Sequence, residues 1–196
     1  SLVGSEMCIR DSANTVMGQD ETVLMTASRT GVNEVVKALI SAGANVNARE
    51  SWRGQTALMW AAAEGHTGVV DLLIGAGADV NASSSGRFTP LMFSARSGAL
   101  QIARLLLDAG ADVNATTDEG LSPLLVATAS LDAITGSDYR LVVDDSEHQD
   151  LGILLIDHGA DVNQSDQYGM TALHYAVEMD KPRFCILYTS PSPRDS

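Results

Sequence analysis

The sequence predicts an all-α solenoid of helix-turn-helix units joined by β-hairpin-like fingers, and two recurring phrases carry that prediction. The phrase Gly-Ala-Asp-Val-Asn, with Asn at its third place in the first copy, occupies residues 43–47, 77–81, 110–114 and 159–163. A second phrase has Leu two residues after its start and begins at Thr22, Thr56, Thr89, Ser122 and Thr171. Its spacings are 34, 33, 33 and 49 residues. Self-similarity at such an interval indicates stacked supersecondary units in place of one globular core.

The second unit shows how each element follows from its residues. Thr56 can cap a helix because its hydroxyl accepts a hydrogen bond from a free backbone N–H, so a first helix is predicted over 57–64. Gly65 is expected to end that helix in a left-handed conformation. A second helix is predicted over 67–76 and ends at Gly77. Its predicted buried stripe consists of Val69, Val70, Leu72 and Leu73.

The other units repeat this order, with a finger rich in Asp, Asn, Ser and Gly before each first helix. Helices are therefore predicted near residues 22–30, 32–42, 56–64, 67–76, 90–97, 99–109, 122–131, 149–158 and 171–179. Each buried Val, Leu or Ile contributes roughly 1.5–3 kcal/mol. Most of that burial is against the neighbouring unit, so stability is expected to be spread along the array.

Residues 14–182 resemble the ankyrin repeat, a unit of 33 residues that contains Thr-Pro-Leu-His. The best match is residues 54–81, which begin Gly-Gln-Thr-Ala-Leu-Met-Trp-Ala-Ala-Ala-Glu-Gly-His. The histidine place of the motif holds Met25, Met59, Met92 and Leu125, and only His174 keeps the family residue. The resemblance implies an array over 13–183 of about five units, the last incomplete. The units are 14–47, 48–81, 82–114, 115–163 and 164–183.

Residues 1–12 and 184–196 do not keep the phase of the repeat. Their sequences resemble a translated sequencing adapter and its reverse complement, so both ends are expected to be foreign and are set aside from the fold. A natural pair of disordered tails is the alternative. On the adapter interpretation, the chain is an internal fragment that lacks its true N-terminus, which leaves a cytoplasmic and a bacterial periplasmic location both open.

Composition narrows the classes of partner. The chain has 25 acidic and 12 basic residues and a net charge of −13, without the Lys and Arg clusters that bind phosphate backbones, so nucleic acid is not an expected partner. No apolar run of eighteen residues is present, and no membrane span is expected in this fragment. The acidic charge either keeps the solenoid soluble or favours basic partners. The two cysteines both fall in the end segments, which argues against a disulfide framework.

The fourth unit carries sixteen extra residues, since its spacing is 49 and not 33. They align with 132–147, between the two helices of that unit. The segment is acidic, but it lacks the ordered ligand spacing of a calcium loop, so no metal site is predicted there. A solvated surface loop is expected, with an extension of the first helix through residues 133–134 as a further option.

The sequence contains no motif for catalysis or for a cofactor. Neither a phosphate-binding Gly-rich loop nor a nucleophile elbow is present, and the four histidines show no metal-ligand spacing. His66 and His174 are expected to make structural hydrogen bonds, and His158 lies near a helix C-terminus, where a cation suits the dipole. The column of Met25, Met59 and Met92 is expected to be core.

The family resemblance places a partner on the concave surface made by finger tips and first helices. Residue types that are enriched at interface hot spots, or charged, occupy those places in this chain. The candidate binding residues are Trp52, Arg53, Gln55, Phe88, Leu121, Tyr168, Met170, Arg29, Glu64 and Arg96. Phe88, Leu121 and Met170 have the alternative role of packing against the next finger.

These observations predict a non-enzymatic, monomeric module, a scaffold or adaptor that binds a protein and needs no cofactor. Two other functions stay open at this point. The repeats could be an accessory region of a larger enzyme or membrane protein, which a longer reading frame would reveal. They could also be a structural spacer, which the absence of a concave hot-spot patch would favour.

Overall fold

The computed structural model describes residues 13–129 and 145–178. Within those ranges the chain forms nine α-helices and one turn of 3-10 helix at Gly18–Asp20. The α-helices are α1 (Val23–Thr30), α2 (Asn33–Ser41), α3 (Ala57–Ala63), α4 (Thr67–Gly75), α5 (Pro90–Ser97), α6 (Leu100–Asp108), α7 (Pro123–Thr128), α8 (Asp145–Asp157) and α9 (Ala172–Glu178). The predicted all-α class is confirmed.

The helices stack in two layers. The first helices of the units, α1, α3, α5, α7 and α9, pack against one another in chain order, and the second helices α2, α4, α6 and α8 do the same behind them. Within a unit, the first helix packs against the second. Each unit therefore buries its apolar face mainly against its neighbours, as the repeat pattern predicts.

The recurring Thr or Ser starts each first helix as expected. The Thr56 hydroxyl accepts from the backbone N–H of Met59 at 3.4 Å, and Ser122 caps α7 through Leu125 in the same way. At the last unit, the Thr171 hydroxyl lies 2.8 Å from Nδ1 of His174, which confirms a structural role for that histidine. The helix-ending Gly65 has φ +77°, a left-handed conformation that glycine adopts without steric cost.

The core of α4 differs in one residue from the predicted stripe. Val69, Val70 and Leu73 are completely buried, whereas Leu72 is only half-buried. Adjacent residues on a helix point about 100° apart, so one of two neighbouring leucines turns toward the rim of the stack. The predicted methionine column is confirmed as core, since Met25, Met59 and Met92 are each at most 1% exposed.

The helices next to the insertion are where the predicted boundaries fail. Helix α7 ends at Thr128, three residues before the predicted end at 131, because Ala129 already has an extended backbone with ψ 132°. Helix α8 begins at Asp145, four residues before the predicted start at 149, so the last three residues of the insertion belong to its first turn. Residues 132–144, including the proposed extension through 133–134, lie outside the described ranges.

The phrase Gly-Ala-Asp-Val-Asn forms a ladder that joins each unit to the next. The side chain of Asn47 donates to the Gly77 carbonyl at 3.1 Å and accepts from the Asp79 N–H at 2.8 Å. Asn14, Asn81 and Asn114 make the same pair of bonds one unit further along. The bonds of Asn114 join the third unit to the fourth, so the fourth unit keeps the register of the stack despite its sixteen extra residues.

The fingers are tight turns joined to one another. Each closes with a backbone hydrogen bond, such as the Ser84 N–H to the Phe88 carbonyl at 2.9 Å. Three of the four pairs of neighbouring fingers are linked by a further backbone bond, such as the Ser85 N–H to the Arg53 carbonyl at 2.7 Å. None of the helices in residues 13–129 and 145–178 combines the length and apolar character that a membrane span requires.

Candidate functional site

A groove lies between the fingers of the second and third units and the first helices behind them. It encloses about 430 Å³. We call it the finger groove. Its lining side chains include Trp52, Arg53, Gln55, Trp60, Glu64, Phe88, Phe93 and Arg96. The repeat phase explains this convergence, because equivalent finger and helix positions come side by side when the units stack.

Aromatic rings and arginines are paired along the finger groove. The guanidinium of Arg53 lies 4.1 Å from the centre of the Trp52 ring, and that of Arg96 lies 5.2 Å from the centre of Phe93. The rings of Phe88 and Phe93 are 6.0 Å apart and tilted. Trp52 is 64% exposed, so the groove offers a large aromatic surface to a partner.

A third pair extends this pattern toward the first unit. Arg29 of α1 stacks on Trp60 of α3, with its guanidinium 4.9 Å from the ring centre. A guanidinium nitrogen of Arg29 lies 3.9 Å from a carboxylate oxygen of Glu21. Since both side chains are partly exposed, that ion pair contributes little to stability.

The structure brings together most of the sequence-predicted residues. Six line the finger groove: Trp52, Arg53, Gln55, Phe88, Glu64 and Arg96. Arg29 borders it through Trp60. Tyr168 stands apart in the finger of the last unit, where it is 74% exposed.

Two predicted residues pack inward. Leu121 is 4% exposed and belongs to the core, so its side chain has no surface to offer a partner. Met170 is half-buried and packs against the same core. The alternative packing role, which the sequence left open, accounts for Leu121 and Met170, whereas Phe88 packs against the core and also lines the finger groove.

Sequence reasoning missed Trp60 and Phe93, which form the floor of the groove. Both stand four residues after the Thr that caps their helix, Thr56 and Thr89. An aromatic residue at the same phase of two successive units was the signal that could have found them. Phe93 is buried, whereas Trp60 is half-buried.

It also missed the role of His148. Both His66 and His148 stand eleven residues before the glycine of the recurring phrase, Gly77 and Gly159. His66 Nε2 donates to the Arg29 carbonyl at 2.9 Å, which confirms the expected structural hydrogen bond. His148 Nε2 donates to the Arg96 carbonyl at 3.2 Å. Each histidine therefore links the second helix of its own unit to the end of the first helix of the preceding unit.

Two buried carboxylates hold the fingers that carry Trp52 and Tyr168. Glu50 accepts from the backbone N–H groups of Trp52, Arg53 and Gln55 at 2.6–3.0 Å. Burial alone raises the pKa of Glu50, but the hydrogen bonds from Gln55, Arg53 and Trp52 and the charge of Arg53 outweigh it, so the pKa is lowered.

Asp166 has the same role in the last finger. It accepts from the N–H groups of Tyr168 and Met170, both at 2.9 Å, and from the Tyr175 hydroxyl at 2.6 Å. Burial raises the pKa of Asp166, and the hydrogen bonds from Tyr175, Met170 and Tyr168 more than offset it, so the pKa is lowered. Burial and the bond to Asp166 raise the pKa of Tyr175 to about 12. Ser84 and Thr117 replace these acids with hydroxyls in the two central fingers.

We expect Glu50→Gln and Asp166→Asn each to lower the free energy of unfolding at pH 7 by about 1–2 kcal/mol, because each loses charge-assisted hydrogen bonds. The pKa of each acid is lower in the folded protein than its ordinary value of 4.5 or 3.8. The stabilisation is therefore complete above the ordinary pKa and is lost as pH falls through the folded pKa. Urea titrations at pH values from neutral to about 3 measure it.

Asp118→Asn is the matched control, because that carboxylate is 64% exposed. It should change stability little at any pH. The difference between the wild-type protein and each buried-acid variant should shrink as the solution becomes acidic. A difference that widened under acid would contradict the role assigned to these carboxylates.

Comparison with known families agrees with the geometry. Residues 2–84 match a model for ankyrin repeats in three copies, and residues 73–127 and 138–187 match two models for ankyrin repeats in many copies. Among curated proteins, none matches the sequence. The first match starts within residues 1–12, the segment set apart by its loss of phase, and the assignment of that segment stays a prediction.

Proposed function

Because the chain belongs to the ankyrin-repeat family, we propose that it is a non-enzymatic protein-binding module whose partner lies along its fingers and first helices. Ankyrin repeats are in general protein–protein interaction modules. The observation that supports this surface is the finger groove, in which exposed Trp52 stands beside Phe88 and two stacked arginines. Trp and Arg are the residue types that most often dominate binding energy.

The design of the fingers also supports a binding role. Buried Glu50 and Asp166 fix the backbones that present Trp52 and Tyr168, so these exposed rings stand on ordered turns. A rigid presentation lowers the entropy lost when a partner binds. Tyr168 lies in the fifth unit and the groove in the second and third, so an extended partner that spans the fingers could contact both.

Affinity capture followed by quantitative mass spectrometry tests the proposal. We expect Trp52→Ala to reduce capture of the partner from source-cell lysate by tenfold or more, since truncating a hot spot costs about 2 kcal/mol or more. Tyr168→Ala should reduce it less if the partner is centred on the groove. The control is Val35→Ala, which shortens a side chain that is 44% exposed on the second-helix layer.

The folding of each variant is checked first by circular dichroism. If Trp52→Ala and Tyr168→Ala capture the same proteins as the wild type at equal strength, the binding surface lies elsewhere. If Val35→Ala alone abolishes capture, the second-helix layer is the binding face. Capture of nothing by the wild type would favour a structural spacer.

A further inference from the structure

The cations of this acidic protein are concentrated on one side. The described residues contain seven Lys and Arg side chains, and five of them lie on fingers or first helices of the first three units. Those five are Arg29, Arg49, Arg53, Arg87 and Arg96. Lys37 and Arg104 lie on the second helices α2 and α6. Although the protein has a net charge of −13, the lining of the finger groove has two arginines, Arg53 and Arg96, against one acid, Glu64.

The two guanidinium groups in the groove contact aromatic rings but have no hydrogen-bond partner among the described residues. The guanidinium groups of Arg53 and Arg96 lie over aromatic rings, and in the described part of the chain neither side chain makes a hydrogen bond or an ion pair. Stacking uses the face of the guanidinium and leaves its in-plane N–H groups free to donate. Glu64 is the acid that shares the groove lining with these two cations.

A third donor points to the same chemistry. The indole Nε1 of Trp60 is buried and has no hydrogen-bond partner among the described residues. A buried N–H without an acceptor is costly, and such groups are usually paired. Trp60 lines the groove together with Arg53 and Arg96, and its buried Nε1 is an unpaired donor at this site, while the donors open to an occupant are the two guanidinium groups.

We propose that the finger groove binds an acidic peptide segment of the partner, whose carboxylates pair with Arg53 and Arg96 and whose apolar side chain packs between Trp52 and Phe88. This inference rests on the proposed binding function and names the chemistry of the ligand. Carboxylates match the planar donor fork of arginine, which also stacks on aromatic rings. The groove lining has only two arginines and the chain has no cluster of Lys and Arg that could neutralise a phosphate backbone, which makes nucleic acid the weaker candidate.

Intrinsic fluorescence can test this without a label, because Trp52 and Trp60 are the chain's two tryptophans and both line the groove. The probes are three pools of peptides about eight residues long, a length that spans two neighbouring units when extended. Each pool randomises Leu and Phe at alternate positions. The remaining positions are Asp or Glu in the first pool, Asn or Gln in the second and Lys in the third.

We expect the acidic pool to change the tryptophan emission in a saturable way, with an effect that weakens as salt is added. The paired variant Arg53→Gln with Arg96→Gln should weaken binding by about tenfold or more, as expected for lost charge-assisted hydrogen bonds. The control, Lys37→Gln with Arg104→Gln, removes the same charge from exposed side chains on the second helices. It should bind the acidic pool like the wild type.

The inference is overturned if the acidic pool gives no response, if the neutral or Lys pool binds as tightly, or if both paired variants weaken binding equally. A single-stranded oligonucleotide that binds through Arg53 and Arg96, when the acidic pool does not, would assign the groove to nucleic acid. These results are separate from the capture experiment. Capture that depends on Trp52 without a preference for acidic peptides would retain the binding function and reject this ligand.

Discussion

Leu73→Ala is expected to lower the free energy of unfolding by about 2–5 kcal/mol, the largest effect of a single truncation considered for this chain. Leu73 is completely buried on α4, which packs against α3 of its own unit and against α2 and α6 on either side. The cavity would therefore open at a junction of three units. Because a solenoid is held together by its interfaces, the loss should weaken the coupling between units as well as the local helix.

Urea unfolding followed by circular dichroism measures this effect. Leu72→Ala is the matched control. It truncates the same type of side chain at the neighbouring residue, which is only half-buried. It should cost clearly less than Leu73→Ala. Trp52→Ala, at a ring that is 64% exposed, should cost least. Equal losses for Leu72 and Leu73 would contradict the assignment of the core, and a loss at Trp52 as large as that at Leu73 would make Trp52 a packing residue.

The repeat phase was sufficient to predict the main elements of the fold. A Thr or Ser at fixed phase sets the start of a first helix through its hydroxyl, and a glycine ends it, so these boundaries depend on local chemistry. The methionine column was also predictable, because it follows the same phase. The hydroxyl cap recurs in the first four units, and the glycine and the methionine recur in the first three, so each repetition strengthens the inference from the others.

Features that depend on the neighbouring unit were harder to predict. The choice between Leu72 and Leu73 is made by the helices on either side of α4, and a helical stripe permits both. Likewise, Leu121 has the position of a finger tip but the surroundings of a core residue. The early start of α8 follows an insertion that has no counterpart in the other units, so phase could not predict it.

The candidate site was predicted in part. Its outer residues, Trp52, Arg53 and Phe88, follow from their finger positions. The floor of the groove is formed by Trp60 and Phe93 of two first helices. In the sequence, these helices are interpreted through their Met and Leu column, which is core, and the two aromatic residues are not predicted from it. Pairing across units, such as that of Arg29 with Trp60, requires knowledge of how far each helix is offset from the next.

The ladder of asparagines explains why the fourth unit accepts its insertion. Asn114 of the third unit bonds to the Gly159 carbonyl and the Asp161 N–H of the fourth, just as Asn81 of the second unit bonds to Gly110 and Asp112 of the third. His148 also regains the place that His66 has in the second unit. The contacts that hold the fourth unit in the stack therefore come from residues before and after the inserted segment. They do not depend on how long that segment is.

Gly31→Ala should destabilise the protein by about 2–5 kcal/mol, for two separable reasons. Gly31 has φ +74°, where any side chain costs about 1–2 kcal/mol. A Cβ at this position would also lie 2.5 Å from the ring of His66. The ring cannot turn away freely, since its Nε2 donates to the Arg29 carbonyl at 2.9 Å, and overpacking of this kind costs about 1–3 kcal/mol.

Gly65→Ala isolates the backbone contribution. Gly65 has nearly the same conformation, φ +77°, but a Cβ there would meet no described atom within 4 Å. We therefore expect Gly65→Ala to cost about 1–2 kcal/mol, the backbone strain alone.

The contribution of the clash can be measured by removing the His66 ring. When His66 is already Ala, the additional cost of Gly31→Ala should fall to that of Gly65→Ala. A double-mutant cycle from urea titrations gives this coupling directly. If Gly31→Ala and Gly65→Ala cost the same, or if His66→Ala leaves the cost of Gly31→Ala unchanged, the close contact between histidine and glycine does not constrain the junction of the first two units.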